Sequence, residues 1–295
     1  MRKVNIGFSM IFFVFLAACS SGGRQLTIKN YVEVKTSMGD IVIGLYESTP
    51  LHRDNFIEKC NNNFYDSLLV HKATPSGILV TGDPASKKAA PADVIGLNLT
   101  DTSIPAEIHP ARINARGAVG AMKAPDAMNP EKKSHTSVFY IVYGDKFDEA
   151  EFNKLINMKN APVYKQYIDL MLAEPGHEIL RDSLAYYKQY RKNDDYRRLY
   201  IEAMAIVKPR MEKDGVNLYA LSEKQQKIYA TNGGLPDMDG NYTVFGRVVF
   251  GLDKVEAMTK VNTGLHSRPR KDIYILSTRV MTKKEWKNFL KEHHE

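Results

Sequence analysis

Two runs of alternating apolar and polar residues open the patterned part of the chain. Val32-Glu33-Val34-Lys35-Thr36 and Ile41-Val42-Ile43-Gly44-Leu45 flank Ser37-Met38-Gly39-Asp40. Alternation marks a strand with one buried face, and the short Gly-containing link marks a hairpin. Thr49-Pro50 then predicts a helix start, because proline fits the first helical turn; this helix spans Pro50 to Asn61. Short apolar runs follow at Leu68 to Ala73, Gly77 to Val80, Ala118 to Met122, Ser137 to Val142, Thr243 to Val249 and Ile273 to Val280. Gly233-Gly234-Leu235-Pro236 and Asp239-Gly240 are turn signals before one of them. Many short strands separated by Gly and Pro turns predict a mainly β chain closed into a barrel.

Residues 148–230 break that rhythm. Apolar positions there recur at helical spacing, as in Ile179, Leu180, Leu184 and Tyr187, then Leu199, Tyr200, Ala203, Met204 and Val207. Pro162, Gly176 and Gly215 divide the segment into three or four helices, and Ser222-Glu223-Lys224-Gln225 is a capping box for the last. Tyrosine occupies nine positions between 164 and 229 and suits the core of a helical subdomain. Barrel residues are expected at 31–147 and 231–281, with a C-terminal helix or tail at 282–295.

The start of the chain carries a different pattern. Arg2 and Lys3 precede an apolar stretch from Ile6 to Phe15, then Leu16-Ala17-Ala18-Cys19. The stretch is short for a membrane span, which takes about 20 residues, and fits a signal peptide. Small residues leading into cysteine resemble a bacterial lipoprotein processing box. Residues 1–18 are then the signal, Cys19 is the lipid-bearing first residue, and 19–30 form a flexible tether. The alternative is an ordinary signal peptide with an incidental cysteine. More than one acyl chain makes a stable anchor. The expected location is the outer membrane, facing periplasm or cell surface.

Composition narrows the rest. The formal charge of +7 falls to +5 once Arg2 and Lys3 are removed, and the basic residues are scattered. A nucleic-acid partner is not supported. Cys60 is the one cysteine beyond Cys19, so no intrachain disulfide forms in the mature chain, and a buried thiol in a helix is the expectation. No Cys/His cluster has metal-ligand spacing; His293-His294 reads as a solvated tail.

The ordered pieces Thr36-Ser37-Met38-Gly39-Asp40-Ile41, Asn55-Phe56-Ile57, Phe64-Tyr65-Asp66, Val70-His71-Lys72, Thr81-Gly82-Asp83-Pro84, Pro105-Ala106-Glu107-Ile108, Gly117-Ala118-Val119-Gly120-Ala121-Met122 and Ser137-Val138-Phe139-Tyr140-Ile141 together resemble the cyclophilin family of peptidyl-prolyl isomerases. That resemblance implies a closed eight-stranded antiparallel barrel capped by two helices, here carrying a large helical insertion. It also implies a site for proline-containing polypeptide segments and no cofactor, since only a bond rotation is catalysed. The family's catalytic arginine aligns with Lys72. Its substrate-binding positions align with Gly77, Ile78, Val80, Met122, Lys123, Ala124, Val138, Tyr140, Met238 and Tyr242. Two glutamines of the family are replaced by Val80 and Val138, a pocket Phe by Gly77, an Ala-Asn pair by Lys123-Ala124, and a wall His by Tyr242.

Arg offers a planar fork of donors, whereas Lys is a mobile, strongly hydrated point charge. The resemblance with these changes therefore implies a cell-envelope isomerase of weakened activity. A non-catalytic peptide-binding module or chaperone is the rival, with the insertion as a surface for an envelope partner. Lys72 stands either at the chemistry or in an ion pair at the rim. Ile78, Val80 and Val138 suit either a peptide groove or a closed core. His71 is expected to be structural.

Overall fold

In the computed structural model the described residues are 27–90, 93–96 and 101–293. The opening hairpin pairs β1 (Ile28–Thr36) with β2 (Gly39–Tyr46), from Thr36 opposite Gly39 to Ile28 opposite Tyr46. Helix α1 (Pro50–Asn61) follows. Its free N-terminal amides at Leu51 and His52 donate to the Glu107 carboxylate at 3.1 and 3.0 Å, and His52 Nδ1 lies 2.7 Å from it. A carboxylate is favoured there because it meets unpaired N–H groups and the positive end of the helix dipole. Burial raises the Glu107 pKa, but these hydrogen bonds outweigh it and hold it below the usual carboxylate value.

Next come β3 (Lys72–Ala73), β4 (Ile78–Thr81), β5 (Thr102–Ile104), β6 (Ala118–Ala121), β7 (Ser134–His135) and β8 (Phe139–Val142). Four helices then run through the insertion: α2 (Glu149–Leu172), α3 (Glu178–Gln189), α4 (Asn193–Lys213) and α5 (Glu223–Asn232). The chain returns to the sheet with β9 (Val244–Phe250), α6 (Leu252–Thr259) and β10 (Ile275–Met281), and ends on α7 (Lys283–Glu292).

Eight strands form one antiparallel sheet in the order β10-β1-β2-β9-β6-β8-β4-β3, while β5 and β7 make a separate pair that the sequence pattern did not foretell. The expected closed barrel is not what forms. The sheet is an open, curled half-barrel with β10 and β3 at its edges. Across the gap, Leu69 and Tyr274 make an isolated bridge rather than a ladder. Backbone hydrogen bonds cross this gap from Ser67 N–H to the Ile275 carbonyl (2.8 Å), from Val70 N–H to the Ile273 carbonyl (2.9 Å) and from Ile275 N–H to the Leu68 carbonyl (2.8 Å). They join only this short stretch, and the outward backbone groups of Leu69 and Tyr274 are taken by other neighbours. Leu69 N–H donates to Ser86 Oγ (3.1 Å) and its carbonyl accepts from Thr81 Oγ1 (2.8 Å). Tyr274 N–H donates to Ser37 Oγ (3.0 Å), and its carbonyl accepts from Ser37 N–H (2.9 Å).

The concave face holds the main core. Val32, Val34, Ile43, Leu45, Leu79, Val119, Phe139 and Ile141 meet Phe56 and Cys60 of α1 and Val255 and Met258 of α6. Phe56, Tyr65 and Phe139 pack at ring separations of 5.1 to 5.5 Å. Cys60 is buried, and burial first of all pushes its thiol pKa up to about 12. Helix α7 covers another face, where Trp286 stacks on Tyr31 at 4.9 Å. His293 stacks on Phe289 at 3.9 Å while staying exposed, and His294 lies outside the described residues.

The insertion has two cores of its own. Ile168, Met171, Ala203, Val207 and Met211 pack α2 against α4 at its far end. Phe152, Leu155, Leu221 and Tyr229 pack with Ile113, Ala115 and Phe147 where it meets the sheet. Capping boxes at Asp148/Glu151 and Ser222/Gln225 start α2 and α5.

Candidate active site

Directly opposed residues of an antiparallel pair point to the same face. Lys72 is opposite Val80, Val80 opposite Tyr140, and Tyr140 opposite Gly120. These four therefore form a row across the convex face, away from the main core. Ile78 lies opposite Val142 in a parallel row. Val80, Val138, Tyr140, Val142 and Val244 are one buried cluster, against which Ile78, Met122, Met238 and Tyr242 pack half-buried. The candidate residues Ile78, Val80, Met122, Val138, Tyr140, Met238 and Tyr242 are thus brought together, although they are spread over 165 positions of the chain.

The face is filled rather than hollow. Tyr140 has 0% exposure, and Val80 and Val138 have 2% each. Tyr140 lies flat over Gly120, where any Cβ would overlap its hydroxyl, and packs edge-to-face on Tyr242 at 5.7 Å. Its hydroxyl donates to Asn114 Oδ1 at 2.7 Å. Lys123 does not reach outward as a substrate contact. It is 5% exposed, pairs with the Asp126 carboxylate, and lies over the Tyr242 ring at 4.9 Å. It also donates to the Ala124 carbonyl at 3.4 Å, and Ala124 is buried.

Gly77 is not a pocket position either. It sits in a turn closed by Thr74 Oγ1, which accepts from Ile78 N–H at 2.7 Å, and a Cβ on Gly77 would overlap that same oxygen. A side chain at this position would have to displace the Thr74 hydroxyl from that hydrogen bond. Lys72 is exposed at the edge of the row, and among the described residues its ammonium makes no ion pair or hydrogen bond. The alternative placement of Lys72 in a rim ion pair is accordingly not seen. Cys19 lies outside the described residues.

A family model described as cyclophilin type peptidyl-prolyl cis-trans isomerase/CLD matches residues 31–160 and 220–280, which is more than half of the chain. The chain belongs to the cyclophilin family. It is 29% identical over 163 residues to peptidyl-prolyl cis-trans isomerase-like 4 of Neurospora crassa, covering 50% of this chain and 33% of that protein. It is 21% identical over 263 residues to a putative bifunctional phosphatase/peptidyl-prolyl cis-trans isomerase of Streptococcus pyogenes serotype M6, covering 87% of this chain and 40% of that one. The chain thus spans well under half the length of these two relatives. Among solved structures, a cyclophilin type isomerase of Cryptosporidium parvum aligns with 86% of this chain and 98% of its own, at 15% identity and a TM-score of 0.47.

Around the site of this cyclophilin, burial dominates the electrostatics. It raises the Tyr140 pKa well above the usual phenol value, and the nearby Tyr242 and Asp239 add to it. Asp239 is also raised by burial, in spite of hydrogen bonds from Tyr229 and Asn114 that pull the other way. His71, adjacent to Lys72, is lowered to about 4, chiefly by burial, with the Lys72 and Arg268 charges adding to the effect and Asp83 opposing it. The ring is buried, and among the described residues its Nδ1 has no hydrogen-bond partner. Among the described residues no group of three or more His, Cys, Asp or Glu is arranged to hold a metal.

Sequence reasoning missed Asn114, Asp239 and Tyr229. Asp239 reads as a turn residue before Gly240, and Tyr229 as one more tyrosine of the insertion. No local pattern signals that both meet Asn114, a residue 125 positions away from Asp239.

Proposed function

We propose that this cyclophilin is a peptidyl-prolyl isomerase of the cell envelope, anchored through a lipidated Cys19, with activity far below that of a member with the family's full site. Its substrates are X-Pro segments of exported proteins. The observation that carries this reading is the row Lys72-Val80-Tyr140, an exposed cation at the end of an apolar face. Rotation about an X-Pro bond passes a twisted amide over a barrier of about 18–20 kcal/mol. Twisting localises a lone pair on the prolyl nitrogen, and a donor aimed at it stabilises the transition state more than the ground state. Lys72 supplies that donor, and Ile78, Met122, Met238 and Tyr242 supply the apolar wall for the ring.

The weakness has two causes. Lys72 lacks the fork that would hold a fixed geometry. Val80 and Val138 cannot donate to the substrate backbone, and losing one placed donor costs roughly 10²–10³ in rate. Isomerisation of a proline tetrapeptide by the chain, by Lys72→Ala and by Lys72→Arg tests this. Activity is expected to fall with Ala and rise with Arg. Equal rates in all three remove Lys72 from the chemistry.

One observation favours a second reading, a peptide-binding module without turnover. The floor of the site is sealed, with Val80, Val138 and Tyr140 buried and Lys123 laid over Tyr242. Peptide binding with no catalysis in any of the three proteins selects it.

A further inference from the structure

The wall of the site is the segment 236–242, which carries Met238 and Tyr242. Three of its groups are held by the helical insertion. Tyr219 Oη donates to the Pro236 carbonyl at 2.9 Å, and Lys159 Nζ, from α2, donates to the Asp237 carbonyl at 2.8 Å. Tyr229 Oη, from α5, donates to Asp239 Oδ2 at 2.7 Å. Tyr219 is in turn fixed to α2, its N–H donating to Asn160 Oδ1 (2.8 Å) and its carbonyl accepting from Asn160 Nδ2 (3.0 Å).

The Asp239 contact does not stop at the wall. Asp239 Oδ1 accepts from the Asn114 backbone N–H at 2.7 Å and from Asn114 Nδ2 at 3.1 Å. Asn114 Oδ1 accepts from Tyr140 Oη. Tyr229, Asn114 and Tyr140 all have 0% exposure. A continuous relay therefore runs from a helix of the insertion, through the wall, to the floor of the site. A buried donor or acceptor left unpaired costs about 1–3 kcal/mol, so the relay has one favoured arrangement, and displacing one end disturbs the other.

We infer that the helical insertion is a positioning element for the peptide site. Tyr229, through Asp239 and Asn114, sets the Tyr140 floor, while Tyr219 and Lys159 set the Met238–Tyr242 wall. This rests on the reading that the convex face takes X-Pro segments. It goes beyond that reading by giving the insertion a defined action on the site: whatever moves α2 or α5 changes the floor and wall of that face. Tyr229→Phe is the sharpest probe, since it removes one oxygen and leaves the ring in its core with Phe152 and Leu155.

The test uses the full chain with ¹³C-methyl methionine, Ala-Ala-Pro-Phe peptide as ligand, and the cycle of Tyr229→Phe, Tyr140→Phe and the double variant. In Tyr229→Phe the Met238 and Met122 methyl resonances are expected to shift while that of Met258, in the main core, stays in place. Peptide Kd is expected to change about five-fold, the worth of one hydrogen bond, with the two single changes strongly non-additive. A Met238 resonance that stays in place in a folded Tyr229→Phe protein overturns the inference, and so do additive effects, because a purely local structural role adds. If Tyr229→Phe does not fold, Tyr219→Phe with Lys159→Ala reads the same methyl groups from the other two contacts. The methyl shifts decide the inference even if no peptide binds, an outcome that would count against the proposed function alone.

Discussion

The two faces of one sheet are packed differently. The same strands send Leu79, Val119, Phe139 and Ile141 into the concave core and Val80, Gly120, Tyr140 and Val142 onto the convex face. On the concave side the residues are apolar because α1 and α6 must bury against them for the chain to fold. On the convex side Val80, Val138, Tyr140 and Val142 pack on each other, and among the described residues no helix of the main core lies over them. A core is constrained by volume at every position, whereas a binding face is constrained only by what it must bind. The difference teaches that fold and activity are separable along a single strand, residue by alternate residue.

Breaking the concave face should have the largest effect. Phe139→Ala removes a ring packed between Phe56 and Tyr65 and is expected to cost about 3–5 kcal/mol in denaturant unfolding. Val138→Ala, its neighbour in the convex cluster, should cost only about 1.5 kcal/mol. Equal costs would mean that the convex cluster is as tightly packed as the main core.

A second test lies at the seam, where buried His71 adjoins exposed Lys72. The folded-state pKa of about 4 is below the unfolded value of about 6.5, so the folded chain binds fewer protons. The stability contributed is present above about pH 6.5 and is lost as pH falls towards 4. The loss is roughly 3 kcal/mol, and His71→Gln should flatten that part of the profile. An unchanged slope in His71→Gln would assign the acid sensitivity to other groups.

The smallest effect sharpens the comparison most. Lys123→Ala lifts the side chain that lies over Tyr242 and frees the Ala124 carbonyl. Some stability should be lost with the packing of the buried Lys123 stem on Tyr242, although the Asp126 end of the pair is exposed. Affinity for a proline peptide, measured by calorimetry, is expected to rise a few-fold. A fall would make Lys123 a ligand contact rather than a cover.

Much of this was legible beforehand for a physical reason. The β1–β2 hairpin, α1 and the Ser222 capping box are written in short-range patterns: alternation, a proline at a helix start, and a hydroxyl three residues from a glutamine. β5 and β7 were not legible, since each is two or three residues long and pairs only with the other. Nor was the open edge, where residues 67–70 meet residues 273–275 through a few backbone hydrogen bonds and one isolated bridge rather than a ladder.

The sequence by itself determined the β1–β2 hairpin, α1, the helical character of the insertion and the family. Each follows from local periodicity or from ordered motifs. Only the tertiary structure decided that this face is filled, that Lys123 folds inward onto Tyr242, that Gly77 serves a turn, and that Tyr229 reaches Tyr140 through Asp239 and Asn114. Those outcomes turn on where side chains far apart in the chain find volume and hydrogen-bond partners, and no local pattern encodes that.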